Sequence, residues 1–169
     1  NPLIVHIYDK KQLNTLTEHV SETAQQLMDA FWPGPLTLIF QKKQDAIPDC
    51  VTGGLDTVAV RMPNHPVALR LLQLADLPIA APSANLSGKP SPTAVAHVQH
   101  DLDGRIAAIV AGGNCTVGVE STVLDLSGEL PLFYGRAASP KSSWSRLPAS
   151  RFVMRRPLHL PKKHPALPV

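Results

Sequence analysis

The chain has 169 residues, 44% hydrophobic and 17% charged, which is enough for one domain with one core and too little for two. No apolar run approaches the roughly 20 residues of a membrane span, and Asn1-Pro2-Leu3-Ile4-Val5-His6-Ile7 has neither the basic start nor the cleavage pattern of a signal peptide. The net charge of +3 is unevenly placed: Asn1 to Phe133 carries 8 basic against 13 acidic residues, and Tyr134 to Val169 carries 8 basic and no acidic residue, so a basic nucleic-acid face on the first part is excluded.

Leu3, Ile4, Val5 and Ile7 predict a buried strand within Asn1 to Tyr8. Asp9 and Gln12 have capping-box spacing for a short helix through Leu13 and Leu16. Val20, Ala24, Leu27, Met28 and Phe31 recur at helical spacing, predicting an amphipathic helix from Ser21 to Phe31 that Pro33-Gly34-Pro35 ends. Strands are expected at Leu36 to Gln41 and Thr57 to Arg61. Asn64 is read as the cap of a helix with Pro66 in its first turn and Val67, Leu71 and Leu74 as its buried stripe.

A further strand, Leu77 to Ala81, runs into the small polar loop Pro82 to Gly88. Ser91 is then read as an N-cap with Pro92 at N1, Val95 and Val98 facing inward. Arg105 to Val110 is expected as a strand, Gly112-Gly113-Asn114 as a turn, and Ser121 to Leu126 with Leu130 to Phe133 as a hairpin. Strands alternating with helices, without a repeat, predict a three-layer α/β domain on a twisted mixed sheet.

Three loops offer short hydroxyl or amide donors: Pro82 to Gly88, Ser91 to Thr93, and Gly118 to Thr122. They suit an anion such as phosphate, but capping and turn formation explain them equally well. Neither a Gly-x-x-x-x-Gly-Lys loop nor a spaced glycine triplet is present. Arg61 closes its strand and could hold a carboxylate in its guanidinium fork, or pair with Asp56 on the surface. His6 could be a core or rim histidine, and Ser121 and Thr122 simply half-buried strand residues. Cys50 and Cys115 have no Cys or His at ligand spacing, so a reducing setting is expected and structural zinc is not. No Ser-His-Asp order, carboxylate pair or metal cluster emerges.

Four segments, in order, carry a resemblance: Phe31-Trp32-Pro33-Gly34-Pro35-Leu36-Thr37, Val60-Arg61-Met62-Pro63-Asn64-His65-Pro66, Pro78-Ile79-Ala80-Ala81-Pro82-Ser83-Ala84-Asn85-Leu86-Ser87-Gly88 and Gly118-Val119-Glu120-Ser121-Thr122-Val123. Together they resemble the YrdC-like family of threonylcarbamoyl-AMP synthases over Asn1 to about Leu132. The resemblance implies a twisted α/β domain with a concave polar cleft. It also implies a reaction of L-threonine, bicarbonate and ATP that gives threonylcarbamoyl-AMP and pyrophosphate, for the threonylcarbamoyladenosine modification of tRNA.

Carried over residue by residue, it places His6, Arg61, Ala81 and Ser121 at L-threonine, and Asn1, Thr57, Ser83 and Ser91 at ATP. Asn85 and Ser87 shape the same loop. No covalent nucleophile and no protein-held metal are implied; Mg2+ would arrive with ATP. Partners would be tRNA and downstream threonylcarbamoyl-transfer proteins in the cytoplasm, with no membrane.

The chain departs from the family pattern at both ends. The Lys-x-Arg segment expected before Asn-Pro-Leu is not in this sequence, and with no Met at position 1 a fragment of a longer protein is expected. Where Leu-Arg-Pro-Gly is expected, this chain reads Phe133-Tyr134-Gly135-Arg136. The codons of Phe133 to Lys141, read one step out of frame, permit that family motif, which predicts a frameshifted, disordered, basic and Pro-rich tail over residues 134–169 after a domain over 1–133. Little synthase activity is then expected of the chain as given. The competing readings are an RNA-binding module of the same fold that uses the tail, and a carbamoyl-transfer domain of a larger maturation protein.

Overall fold

The computed structural model describes residues 2–115 and 121–134, and the backbone of Val153–Met154. The expected elements are found where local signals and burial agree. Strand β1 (Ile4–His6) leads into a 3-10 turn (Lys10–Gln12), whose capping box closes as predicted between Asp9 and Gln12. A one-turn helix α1 (Leu13–Leu16) and helix α2 (Glu22–Phe31) follow, and the Ser21 hydroxyl caps α2 by accepting from the Ala24 N–H at 3.2 Å. The chain leaves α2 through extended Trp32 and a cis Trp32–Pro33 bond, then enters β2 (Leu36–Gln41).

A short helix α3 (Asp49–Thr52), unanticipated because four residues give too little periodicity to read, precedes β3 (Thr57–Arg61). Helix α4 (Pro66–Ala75), β4 (Ile79–Ala81), helix α5 (Val95–Leu102), and the expected hairpin of β5 (Thr122–Asp125) and β6 (Leu132–Tyr134) complete the domain. The two-residue strand β7 (Val153–Met154) lies parallel to β6. The other tail residues, and with them most of the expectation for 134–169, lie outside the described residues, as do Asn1 and Gly118 to Glu120.

The strands form one mixed sheet in the order β4-β1-β3-β2-β5-β6-β7, so the α/β architecture is the one the alternating pattern predicts. Its register separates two faces. Val5, Ile7, Val58, Val60, Leu36, Leu38, Phe40, Leu124 and Phe133 all point one way and are buried with Leu13, Leu16, Leu27 and Met28 of α1 and α2 in one apolar core. The alternate positions, including Ile4, His6, Thr57, Ala59, Arg61, Val123 and Asp125, are only half-buried. The period of two thus makes one face the core and leaves the other for chemistry.

Four expectations require correction. The cap of α4 is His65, not Asn64, because Pro66 occupies N1 and the N-cap is the residue before it. The face of α4 turned inward carries Leu69 and Leu72, while the predicted stripe of Val67, Leu71 and Leu74 is exposed, Leu74 to 70%. A helix reading Leu-Arg-Leu-Leu-Gln-Leu is apolar on more than one side, so periodicity could not choose the face.

Helix α5 starts at Val95 with Ala94 as its N-cap, not at Pro92 behind Ser91, and Val95 and Val98 are only half-buried. The Thr93 carbonyl accepts from the Cys115 N–H at 2.8 Å, a tertiary bond, and the Thr93 N–H donates locally to His97 Nδ1; both bonds engage residue 93 outside the helix. Finally, Arg105 to Val110 is not a strand: no described strand offers it a ladder, and Val110 is 64% exposed.

Candidate functional site

The half-buried sheet face brings several predicted residues to one level. His6 on β1 and Arg61 on β3 are register partners on adjacent strands, about 4.8 Å apart between backbones. Arg61 is in turn paired with Thr37 on β2, and the Thr37 hydroxyl lies 3.0 Å from that of Ser121, just before β5. Three of the four residues assigned to threonine therefore line one end of four adjacent strands. Thr37, which joins them, was not singled out from sequence; its signal was a hydroxyl at a position of a central strand that proves fully buried.

Ala81 is register partner to Ile4, so it shares their face two residues along from the level of His6. Thr57 is on the same face as Arg61 but four residues earlier, about 13 Å away along the strand. Strand β4 runs antiparallel to β1, so the chain leaving Ala81 toward Ser83 heads for the Thr57 end of the sheet. Ser83, two residues past the end of β4, is exposed. The register thus puts His6, Arg61 and Ser121 at one end, Thr57 at the other, and Ala81 between.

None of these residues lines the cavity beside Ser91. Ser91 lines this cavity, of about 590 Å³, with Lys89, Thr93, His97 and His100, between the loop and α5. That loop is tied down: Asn85 Nδ2 donates to the carbonyls of Leu86 and Lys89, and Asp101 on α5 binds the Leu86 N–H and the Lys89 ammonium. Lys89, with His100, holds the Asp101 carboxyl down at about 2. Asn1 lies outside the described residues.

The electrostatics favour a ligand anion at the Arg61 end. Arg61 Nε donates to the Gly34 carbonyl at 3.1 Å, and among the described residues no carboxylate pairs with its guanidinium; the surface pairing with Asp56 does not form. Burial lowers its pKa from the ordinary arginine value, yet an arginine remains a cation throughout the working pH range. His6 is pushed below its ordinary value of 6.5, first by burial and then by the Arg61 charge, with weaker backbone contacts to Ile79 and Ile4 opposing the shift. It is therefore neutral at pH 7, and its buried Nδ1 has no hydrogen-bond partner among the described residues.

A neutral buried histidine makes a sign-definite prediction. Between 6.5 and the lower folded-state pKa the unfolded chain binds a proton that the folded chain does not. Stability is accordingly full above pH 6.5 and falls as the pH is lowered through that window. Urea unfolding at pH 7.5 and 5.5 is expected to show a smaller loss on acidification in His6→Asn than in the unaltered chain; equal losses would show that His6 is not the titrating group.

The profile of the Sua5/YciO/YrdC family, described as telomere recombination, matches residues 1–135. The chain is 61% identical over 132 residues to the threonylcarbamoyl-AMP synthase of Bacillus subtilis, covering 78% of this chain and 38% of that protein. It is 55% identical over 127 residues to the enzyme of the same name from Pyrococcus abyssi, covering 75% of this chain and 37% of the relative. It thus spans well under half the length of these relatives. The crystal structure of P. abyssi Sua5 complexed with L-threonine superposes with a TM-score of 0.85 at 46% identity, over 92% of this chain and 45% of that one. E. coli YciO shares the fold, with a TM-score of 0.74 at 22% identity over 85% and 69% of the two chains. A sheet whose one face is core and whose other lines up His6, Arg61 and Ser121, together with a family match over residues 1–135, shows that the chain belongs to the Sua5/YciO/YrdC family.

Proposed function

We propose that this chain forms the substrate-binding sheet of a threonylcarbamoyl-AMP synthase acting in threonylcarbamoyladenosine modification of tRNA. The observation that carries the proposal is the one-ended cluster of His6, Arg61 and Ser121, whose guanidinium has no carboxylate partner among the described residues, with Thr57 at the other end of the Arg61 strand. The names of the B. subtilis and P. abyssi relatives, and the L-threonine bound to the latter's Sua5, support it.

In this reading Arg61 pairs with the threonine carboxylate, and neutral His6 and Ser121 supply hydrogen bonds around it. Ala81 is small enough to let the amino acid lie against the sheet. The threonine amine attacks the bicarbonate carbon and water leaves, giving a carbamate. A carbamate oxygen then attacks the α-phosphorus of ATP, and the bond to pyrophosphate breaks. Asn1, Thr57, Ser83 and Ser91 bind the nucleotide. Mg2+ enters as the counter-ion of its phosphates. Such chemistry depends on alignment and charge neutralisation and needs no covalent nucleophile. Cytoplasmic tRNA and downstream threonylcarbamoyl-transfer proteins complete the proposal; among the described residues no helix is long and apolar enough to cross a membrane.

Equilibrium binding tests the reading directly. L-threonine is expected to bind the chain and to strengthen ATP binding. Absence of threonine binding, with RNA binding that disappears when 134–169 is deleted, would replace the synthase by an RNA-binding module. The nucleotide assignments carry their own expectation: Ser83→Ala or Ser91→Ala weakens ATP by about 1 kcal/mol, the worth of a neutral hydrogen bond, and leaves threonine affinity nearly unchanged. An effect mainly on threonine would reverse the assignment.

A further inference from the structure

We propose that Thr37 is the positioning residue of the threonine end of the site: its buried hydroxyl fixes the Ser121 hydroxyl beside Arg61. The inference rests on the function proposed above. Thr37 is fully buried, whereas Ser121 and Arg61 on either side of it are half-buried and face the open side of the sheet. A hydroxyl removed from water is costly unless hydrogen-bonded, and the bond found for Thr37 goes to the Ser121 side chain, 84 positions away in sequence, rather than to a neighbouring carbonyl. The β2 backbone places this threonine between Arg61 on β3 and Val123 on β5, so one rigid central strand sets the spacing from guanidinium to serine.

The bond also decides what Ser121 can offer a ligand. Each hydroxyl has one proton. When Thr37 donates to Ser121, the Ser121 proton is left for a ligand oxygen; when Ser121 donates to Thr37, only a lone pair is left. Without Thr37 Oγ1 the serine side chain loses its described partner, and its rotamer is no longer set relative to Arg61. Thr37 itself need not touch the ligand, being covered by its neighbours. A purely structural threonine would affect stability and both ligands alike, with no selective effect on threonine.

Titration of the full chain with L-threonine and, separately, with ATP distinguishes these roles. Thr37→Val, which keeps the shape and removes the hydroxyl, is expected to weaken threonine about fivefold, the equivalent of one neutral hydrogen bond, and to leave ATP within about twofold. Thr37→Ser, which restores the hydroxyl, returns threonine affinity to near its original value. Thr37→Val combined with Ser121→Ala weakens threonine no further than Ser121→Ala alone, because the two residues act as a unit. Thr37→Ala replaces the valine variant should that one fail to fold.

Unchanged threonine affinity in Thr37→Val, alongside a loss in Arg61→Ala, would overturn the positioning role while leaving the site intact. Equal weakening of threonine and ATP, or no recovery in Thr37→Ser, would reduce Thr37 to a structural residue. No threonine binding by the unaltered chain would overturn the proposed function itself and this inference with it; unchanged binding in Arg61→Ala would remove Arg61 from the site and overturn this inference.

Discussion

Arg61→Ala is expected to lower affinity for L-threonine by about 2–5 kcal/mol, the range for losing one partner of a largely desolvated, hydrogen-bonded charge pair. Three features put it at the upper part of the effects foreseen here. The guanidinium is half-buried, so water screens it poorly; it lacks a carboxylate partner among the described residues; and its Nε is already fixed on the Gly34 carbonyl, which pre-orients the fork. Arg61→Lys keeps the charge and loses both the planar fork and the Nε geometry, so it should recover only part of the affinity. Calorimetric titration of threonine is the measurement. Unchanged affinity in Arg61→Ala would remove Arg61 from the site, whatever happens to stability.

Gly34→Ala should destabilise the domain by about 3 kcal/mol, at the upper end of overpacking costs. A Cβ on Gly34 would lie 2.2 Å from the Phe31 carbonyl oxygen, a distance no non-bonded pair tolerates, and the obstacle is backbone that cannot rotate away. The turn between α2 and β2 would have to open. That turn is also bonded on both sides of the same residue to the C-terminal end of β3 and the residue after it: the Gly34 N–H donates to the Met62 carbonyl at 2.8 Å, and the Gly34 carbonyl accepts from Arg61. Chemical unfolding should therefore show a lower midpoint, and the surviving folded fraction should bind threonine less well than the unaltered chain. A midpoint shift equivalent to less than about 0.5 kcal/mol, the size of a neutral surface change, would contradict this account.

The two substitutions test one arrangement from opposite sides. Arg61 supplies the charge, and Gly34 supplies the backbone carbonyl that aims it. A proline-bounded glycine turn that looks like simple helix termination is thereby tied by a hydrogen bond to a candidate threonine-binding residue. Asn85 has a comparable place in its loop: two of its bonds fix the loop backbone, and its buried Oδ1 has no partner among the described residues.

The elements that could be read from sequence are those in which local chemistry and burial point the same way. Leu36 to Gln41 and Thr57 to Arg61 have these bounds as strands, α2 begins after its Ser21 cap, and the Asp9–Gln12 capping box closes as its spacing predicts. Arg61 could be picked out because it ends a strand next to proline, and His6 by the resemblance; their adjacency could not, since β1 and β3 pair across more than 50 residues of intervening chain. The same limit hid Thr37, whose partner Ser121 is brought close by the parallel pairing of β2 with β5.

Failures occurred where a local pattern had more than one tertiary solution. Four leucines on α4 fit two faces, and only tertiary burial selected Leu69, which packs against the core, and Leu72. Ser91-Pro92 has the composition of a helix start, but bonds from Thr93 to Cys115 and His97 move that start to Val95. Arg105 to Val110 has the composition of a strand, and a strand exists only where a neighbouring edge accepts its hydrogen bonds. Sequence alone thus determined most of the helices and strands, the family and a set of candidate site residues, because propensity, capping and period are local properties. The tertiary structure alone decided which helix face is buried, which residues share the open face of the sheet, and that hydrogen bonds and strand pairing link Gly34, Arg61, Thr37 and Ser121, because strand order and register are set by contacts between residues far apart in the chain.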